Sequence, residues 1–150
     1  MWLTKQGKIL FRPVKRDYEI TPEDLLSNAE VTFDAWNYLT VRYNYATGDA
    51  AVVLDGQVAE EKNIGQRSLA TQGVLNVGGV GQDDRRYVGE MACLQIYDKA
   101  LTDAEIEENA ACPVGEEIIL NSLIFVVLIQ IKEYQYFGAE MNVKKTVLSV

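Results

Sequence analysis

Histidine is absent from all 150 residues, and this gap removes more chemistry than any other in the composition. Without it there is no Ser-His-Asp triad, no Cys-His dyad and no imidazole-ligated zinc, and the commonest general base is missing. Cysteine is nearly absent too: Cys93 and Cys112 form neither a C-x-x-C motif nor a ligand quartet. On spacing alone they are one disulfide or two buried thiols. No Asn-x-Ser/Thr acceptor occurs, and the opening residues Met1 to Lys8 lack the apolar core of a secretory leader. The reading is then either a cytosolic protein or a chain whose true start lies upstream.

Positive charge is also scarce. Fourteen Lys and Arg face 22 Asp and Glu, for a net charge of −8. That field repels phosphate backbones and anionic headgroups over a Debye length, so nucleic acid is not an expected partner. The basic pairs Lys15-Arg16, Arg85-Arg86 and Lys144-Lys145 are flanked by acids or apolar residues and form no stripe. They read as solvated surface.

What is present is the texture of an all-β protein. Up to about residue 97, short runs rich in Val, Ile, Tyr and Phe are broken by Gly, Asp and Asn every ten or so residues. The expected strands are 8–14, 30–33, 36–43, 50–54, 73–78 and 87–97. In 36–43 the alternation places Leu39, Val41 and Tyr43 on one face and Tyr38, Thr40 and Arg42 on the other. Of Trp36, Tyr38, Tyr43, Tyr45, Tyr87 and Tyr97, only Tyr45, in the turn 44–49, is expected to be exposed; the others read as core or cross-strand pairs. Asp55-Gly56 predicts a tight hairpin, because both residues tolerate the positive φ of a type I′ turn. Two short capped helices are expected, at Thr21-Pro22-Glu23-Asp24 and from Thr102-Asp103-Ala104-Glu105 to Asn109.

After Cys112-Pro113 the texture changes. Residues 118–131 are 14 nearly continuous apolar residues without alternation. As a helix at about 1.5 Å per residue they reach roughly 21 Å, short of the roughly 30 Å hydrocarbon core. Three readings stay open: a truncated or interfacial membrane segment, a buried strand or helix, or sequence foreign to the domain. Membrane association is expected only through this run. The division is 1–113 as the domain and 114–150 as a tail that packs poorly, so that 1–113 should fold without it.

Three blocks, in order, resemble the later part of a concanavalin A-like jelly roll of the laminin G/pentraxin group. The first is Trp36-Asn37-Tyr38-Leu39-Thr40-Val41-Arg42-Tyr43 with Thr47-Gly48 and Val53-Leu54-Asp55-Gly56. The second is Leu75-Asn76-Val77-Gly78-Gly79. The third and most specific is Tyr87-Val88-Gly89-Glu90-Met91, Leu94-Gln95-Ile96-Tyr97-Asp98 and Ala100-Leu101-Thr102-Asp103-Ala104-Glu105-Ile106. The resemblance spans about residues 7–113; the family's opening strands are missing, so the chain is expected to be a fragment of a larger multidomain protein.

The resemblance implies an antiparallel β-sandwich with short capped helices and a noncatalytic, extracellular or cell-surface recognition and adhesion module. A glycan or an extracellular protein is the implied partner, with a lectin-like carbohydrate-binding role or a purely structural spacer as variants. Glycoside hydrolases on this fold need two carboxylates about 5–5.5 Å apart. Their E-x-D-x-x-E pattern does not occur, and Glu105, Glu107 and Glu108 read as the solvated face of a helix. Gln82, Asp83 and Asp84 stand where pentraxins carry calcium ligands, so a calcium site is implied there. Calcium takes six to eight oxygens, and the family's other ligands come from the missing early loop.

The resemblance also implies a Cys93–Cys112 bridge, since related chains place cysteines at both points. A loop of about 20 residues closed in this way stabilises by around 3 kcal/mol in the chain-entropy model. Non-reducing peptide mapping of oxidised protein should recover that linked peptide pair; two unlinked thiols would contradict it.

Overall fold

The computed structural model describes residues 1–19, 23–70, 77–79 and 87–110, and the backbone of one further strand, Val126–Glu133. The elements are β1 (Trp2–Leu3), β2 (Lys8–Phe11), β3 (Leu25–Glu30), β4 (Asn37–Asn44), β5 (Asp49–Leu54), β6 (Gln57–Asn63), β7 (Gly89–Tyr97), α1 (Asp103–Glu108) and β8 (Val126–Glu133). All pairings between these strands are antiparallel. One sheet runs β1-β2-β3, the other β6-β5-β4-β8-β7.

Strand β4 organises both layers. Leu39, Val41 and Tyr43 lie opposite Leu54, Val52 and Ala50 of β5, and all six enter one core with Ile9, Leu25 and Val31 from the three-stranded side. The expected alternation is therefore present, but the second face is not left to solvent. Tyr38 and Val53 on that face form a second cluster with Leu101 and Ile106, so α1 covers the outside of the larger sheet. Buried on both sides, β4 and β5 favour the β-branched and aromatic residues they carry.

Turn chemistry fixes the hairpins. Asp55 and Gly56 have φ of 49° and 78°, the left-handed pair expected of the tight turn. The Asp55 carboxylate also accepts from Tyr38 N–H at 2.7 Å, tying the turn to the start of β4. Gly48 (φ 81°) lies so close to the next loop that a Cβ there would stand 2.6 Å from the Gly65 carbonyl carbon. Helix α1 begins as expected, with a full capping box between Thr102 and Glu105. Lys99 also binds the Glu105 carboxylate, and with the Thr102 N–H and hydroxyl it lowers the Glu105 pKa to about 2. The resulting stabilisation is present above the ordinary pKa of 4.5 and is lost as pH falls towards 2.

Several expectations are corrected. No helix forms at 23–24: Glu23 and Asp24 lead straight into β3, while Thr21 and Pro22 lie outside the described residues. Their carboxylates are held by Arg67 and Arg12 instead, and each is lowered below its ordinary pKa first by that hydrogen bond. The strand expected at 30–33 is Leu25–Glu30; its apolar pattern is broken because buried Ser27 stands at a register shift, accepting from Ile9 N–H and donating to Ala29 C=O. β6 was not expected; only Ala59 of its residues is buried, so its sequence is that of a polar edge strand. Of the strand expected at 73–78, residues 73–76 lie outside the described residues and 77–78 are not in a strand.

The largest correction concerns the tail. Val126–Glu133 pairs with β4 from Asn37↔Ile131 to Arg42↔Val126 and with β7 from Gly89↔Glu133 to Tyr97↔Val126. The larger sheet therefore takes one strand, 126–133, from beyond Pro113. A continuous apolar run is the sequence pattern of an internal strand covered on both faces, where period-2 alternation is not required. The remainder of 111–150 lies outside the described residues.

Candidate ligand-binding cleft

At one end of the sandwich three loops meet: 12–19 after β2, 45–48 between β4 and β5, and 64–69 after β6. Their junction is a network of short hydrogen bonds. Gln66 Nε2 donates to Ala46 C=O, Ile64 N–H to Gly48 C=O at 2.8 Å, and Arg16 N–H to Ser68 C=O at 2.8 Å. Asn63 joins in, donating from Nδ2 to Thr47 C=O and Asp49 Oδ1 and accepting from Gly65 N–H.

Beneath them, fully buried Tyr43 reaches out of the core. Its hydroxyl lies 2.9 Å from Gly65 C=O and 3.1 Å from Arg67 C=O, and it accepts from Arg67 N–H at 2.6 Å. One core side chain thereby fixes the loop that presents Arg67. The Arg67 guanidinium clasps both oxygens of Glu23, at 2.6 and 3.2 Å, with each side chain three-quarters buried.

Loops 12–19 and 64–69 border an open, shallow cleft of about 600 Å³ lined by Lys15, Arg16, Asp17, Gln66, Arg67 and Ser68. Lys15 pairs with Glu19, whose hydrogen bond raises the Lys15 pKa. Both signs of charge, an amide and a hydroxyl therefore converge on one concavity, and exposed Tyr45 and Tyr18 belong to the same loops. Such a surface can bind a polar ligand by hydrogen bonds with an aromatic ring alongside. Among the described residues no group of three or more Cys, Asp or Glu side chains is placed to hold a metal ion.

The residues expected to form sites fall elsewhere. Gln82, Asp83 and Asp84 lie outside the described residues, as does Cys112. Cys93 stands in β7 at a register shift against β8, with φ 56°. Tyr45 is exposed, as expected, and Trp36 is exposed as well. The cleft itself was missed: Lys15-Arg16 was read as plain surface, and 64–69 drew no attention. The available signal was local: Gly48, where a Cβ would meet the Gly65 backbone, Gly65 at φ 77°, and Asn63, whose amide bonds the adjoining turn.

Two antiparallel sheets packed over one core define an all-β sandwich domain. A laminin G family model, described as concanavalin A-like lectin/glucanases superfamily, matches residues 1–107, and the chain belongs to that family. No curated protein and no solved structure matches the chain significantly.

Because the Tyr43 hydroxyl accepts from the part-buried Arg67 N–H and has its one proton to share between the Gly65 and Arg67 carbonyls, Tyr43→Phe should destabilise the domain by about 1 kcal/mol. Urea unfolding measures this; an unchanged midpoint would show that the hydroxyl does not hold the loop.

Proposed function

We propose that the domain is a noncatalytic extracellular recognition module that binds a glycan in the cleft between loops 12–19 and 64–69. The observation that carries this reading is the cleft, lined by guanidinium, amide, hydroxyl and carboxylate side chains; exposed Tyr18 and Tyr45 stand on the loops hydrogen-bonded to its walls. Hydroxyl-rich ligands need both donors and acceptors, and the apolar face of a sugar ring suits an aromatic side chain. Family membership fits such a role, although fold alone does not assign it. A chain without histidine lacks the commonest general base, which favours binding over catalysis. Calcium, if bound through Gln82, Asp83 and Asp84, serves as an auxiliary ligand and binds weakly, at roughly 10⁻⁴–10⁻³ M.

A glycan array run with and without calcium tests the proposal, alongside a panel of extracellular proteins. Wild type should bind a defined glycan set, and Tyr45→Ala should weaken that binding roughly tenfold, the equivalent of about 1.4 kcal/mol. Binding only to proteins, or glycan binding indifferent to Tyr45 and Arg67 substitution, would place the site elsewhere. Turnover of a β-glucan would revive the hydrolase alternative.

A further inference from the structure

Under α1 the outer face of the larger sheet is not wholly apolar. Thr40 of β4 is fully buried and Gln95 of β7 is 5% exposed. By alternation they share the side of Tyr38 and Tyr97, which pack in one cluster with Leu101 and Ile106. Register sets the two in one row across the sheet, since both stand opposite Leu128 of β8. Their Cα atoms are thus two strand spacings apart, about 9–10 Å.

Each carries a buried polar atom that no hydrogen bond reaches, Thr40 Oγ1 and Gln95 Nε2; among the described residues these are the side-chain atoms so placed. The Tyr97 hydroxyl donates to Gln95 Oε1 at 2.7 Å, which turns the other end of the amide away from Tyr97. Interchanging the amide oxygen and nitrogen would still leave one end unpaired. The Tyr38 hydroxyl donates to Ile106 C=O at 3.2 Å, and its oxygen can accept in turn. Burial raises the Tyr38 pKa, and the Thr40 hydroxyl beside it partly offsets that rise. A buried donor left unpaired is costly. Two such atoms on one covered face, with a third polar oxygen beside them, are the partners an internal water needs.

We propose that a buried water molecule is bound on this face beneath α1, accepting a hydrogen bond from Gln95 Nε2 and linking it to the hydroxyls of Thr40 and Tyr38. The water joins β4 to β7 across β8, and through Tyr38 and the Ile106 carbonyl it ties both strands to the helix that covers them. A polar pair in an otherwise apolar seat is thereby satisfied rather than left as a cost to the fold. The site shares no residue with the cleft and does not depend on the cleft's ligand.

A crystal structure of the full-length protein, at a resolution that shows ordered water, should place one water about 2.7–3.2 Å from both Gln95 Nε2 and Thr40 Oγ1. Urea unfolding of Thr40→Val supplies a test of sign. With the water in place the variant loses a hydrogen bond, and its midpoint should fall by roughly 0.3–1 M, a typical hydrogen-bond contribution divided by a typical m-value. If the hydroxyl is instead dry and unpaired, replacing it with a methyl group removes a penalty and the midpoint rises. Gln95→Met should also lower the midpoint, and the double variant should lose less than the sum of the two, because either substitution alone already disrupts the shared water. Should Gln95→Met fail to fold, the wild-type crystal structure and Thr40→Val decide between them. A protein atom in the place of the water, a higher midpoint for Thr40→Val, or strictly additive losses would each overturn the proposal.

Discussion

Strand β4 has both edges paired and both faces covered, and the remaining architecture is arranged around satisfying it. Its edges are taken by β5 and β8; one face packs on the three-stranded sheet and the other on α1. Asn37, Tyr38, Leu39, Thr40, Val41 and Tyr43 are all buried. A strand in that position tolerates no unpaired backbone group, so the domain must supply partners for β4 along its whole length. β5 does so by a hairpin; β8 does so from the far end of the chain.

The polar side chains of β4 extend that role to the loops. Asn37, fully buried, accepts from Thr32 N–H and donates to Thr32 and Ala35 carbonyls, shaping the turn before the strand. Arg42 pairs with Glu61 of β6 and with Asp103 at the start of α1, pinning the helix over the sheet. Tyr43 anchors the 65–67 loop beneath the cleft. Both ends of the sandwich thus take their geometry from one strand, and the candidate site is an outgrowth of core packing.

Much of this was legible in the residues. Alternation in 36–43 gave the correct inward triad, Asp55-Gly56 gave the hairpin, and Thr102 with Glu105 gave the helix, because each feature is set by local chemistry. What escaped the sequence depends on distant partners. β3 is disguised by a buried serine whose hydroxyl bonds back to the chain, β6 by the polarity proper to an edge, and the cleft by loops far apart in sequence. β8 escaped for the opposite reason: an unbroken apolar run is common to internal strands, buried helices and membrane segments, and only its partners decide among them. No helix of the described residues is long and apolar enough to cross a membrane, and 126–131 of that run stands in the sheet.

β8 is an internal strand of the larger sheet, paired on both edges. Hydrogen exchange on the full-length chain, followed by mass spectrometry, examines this directly. Amides of 126–133 should be protected together with those of 37–44, opening only with the whole sheet, since the strands share one ladder. Exchange of 126–133 at the rate of unstructured chain, while 37–44 stays protected, would contradict it.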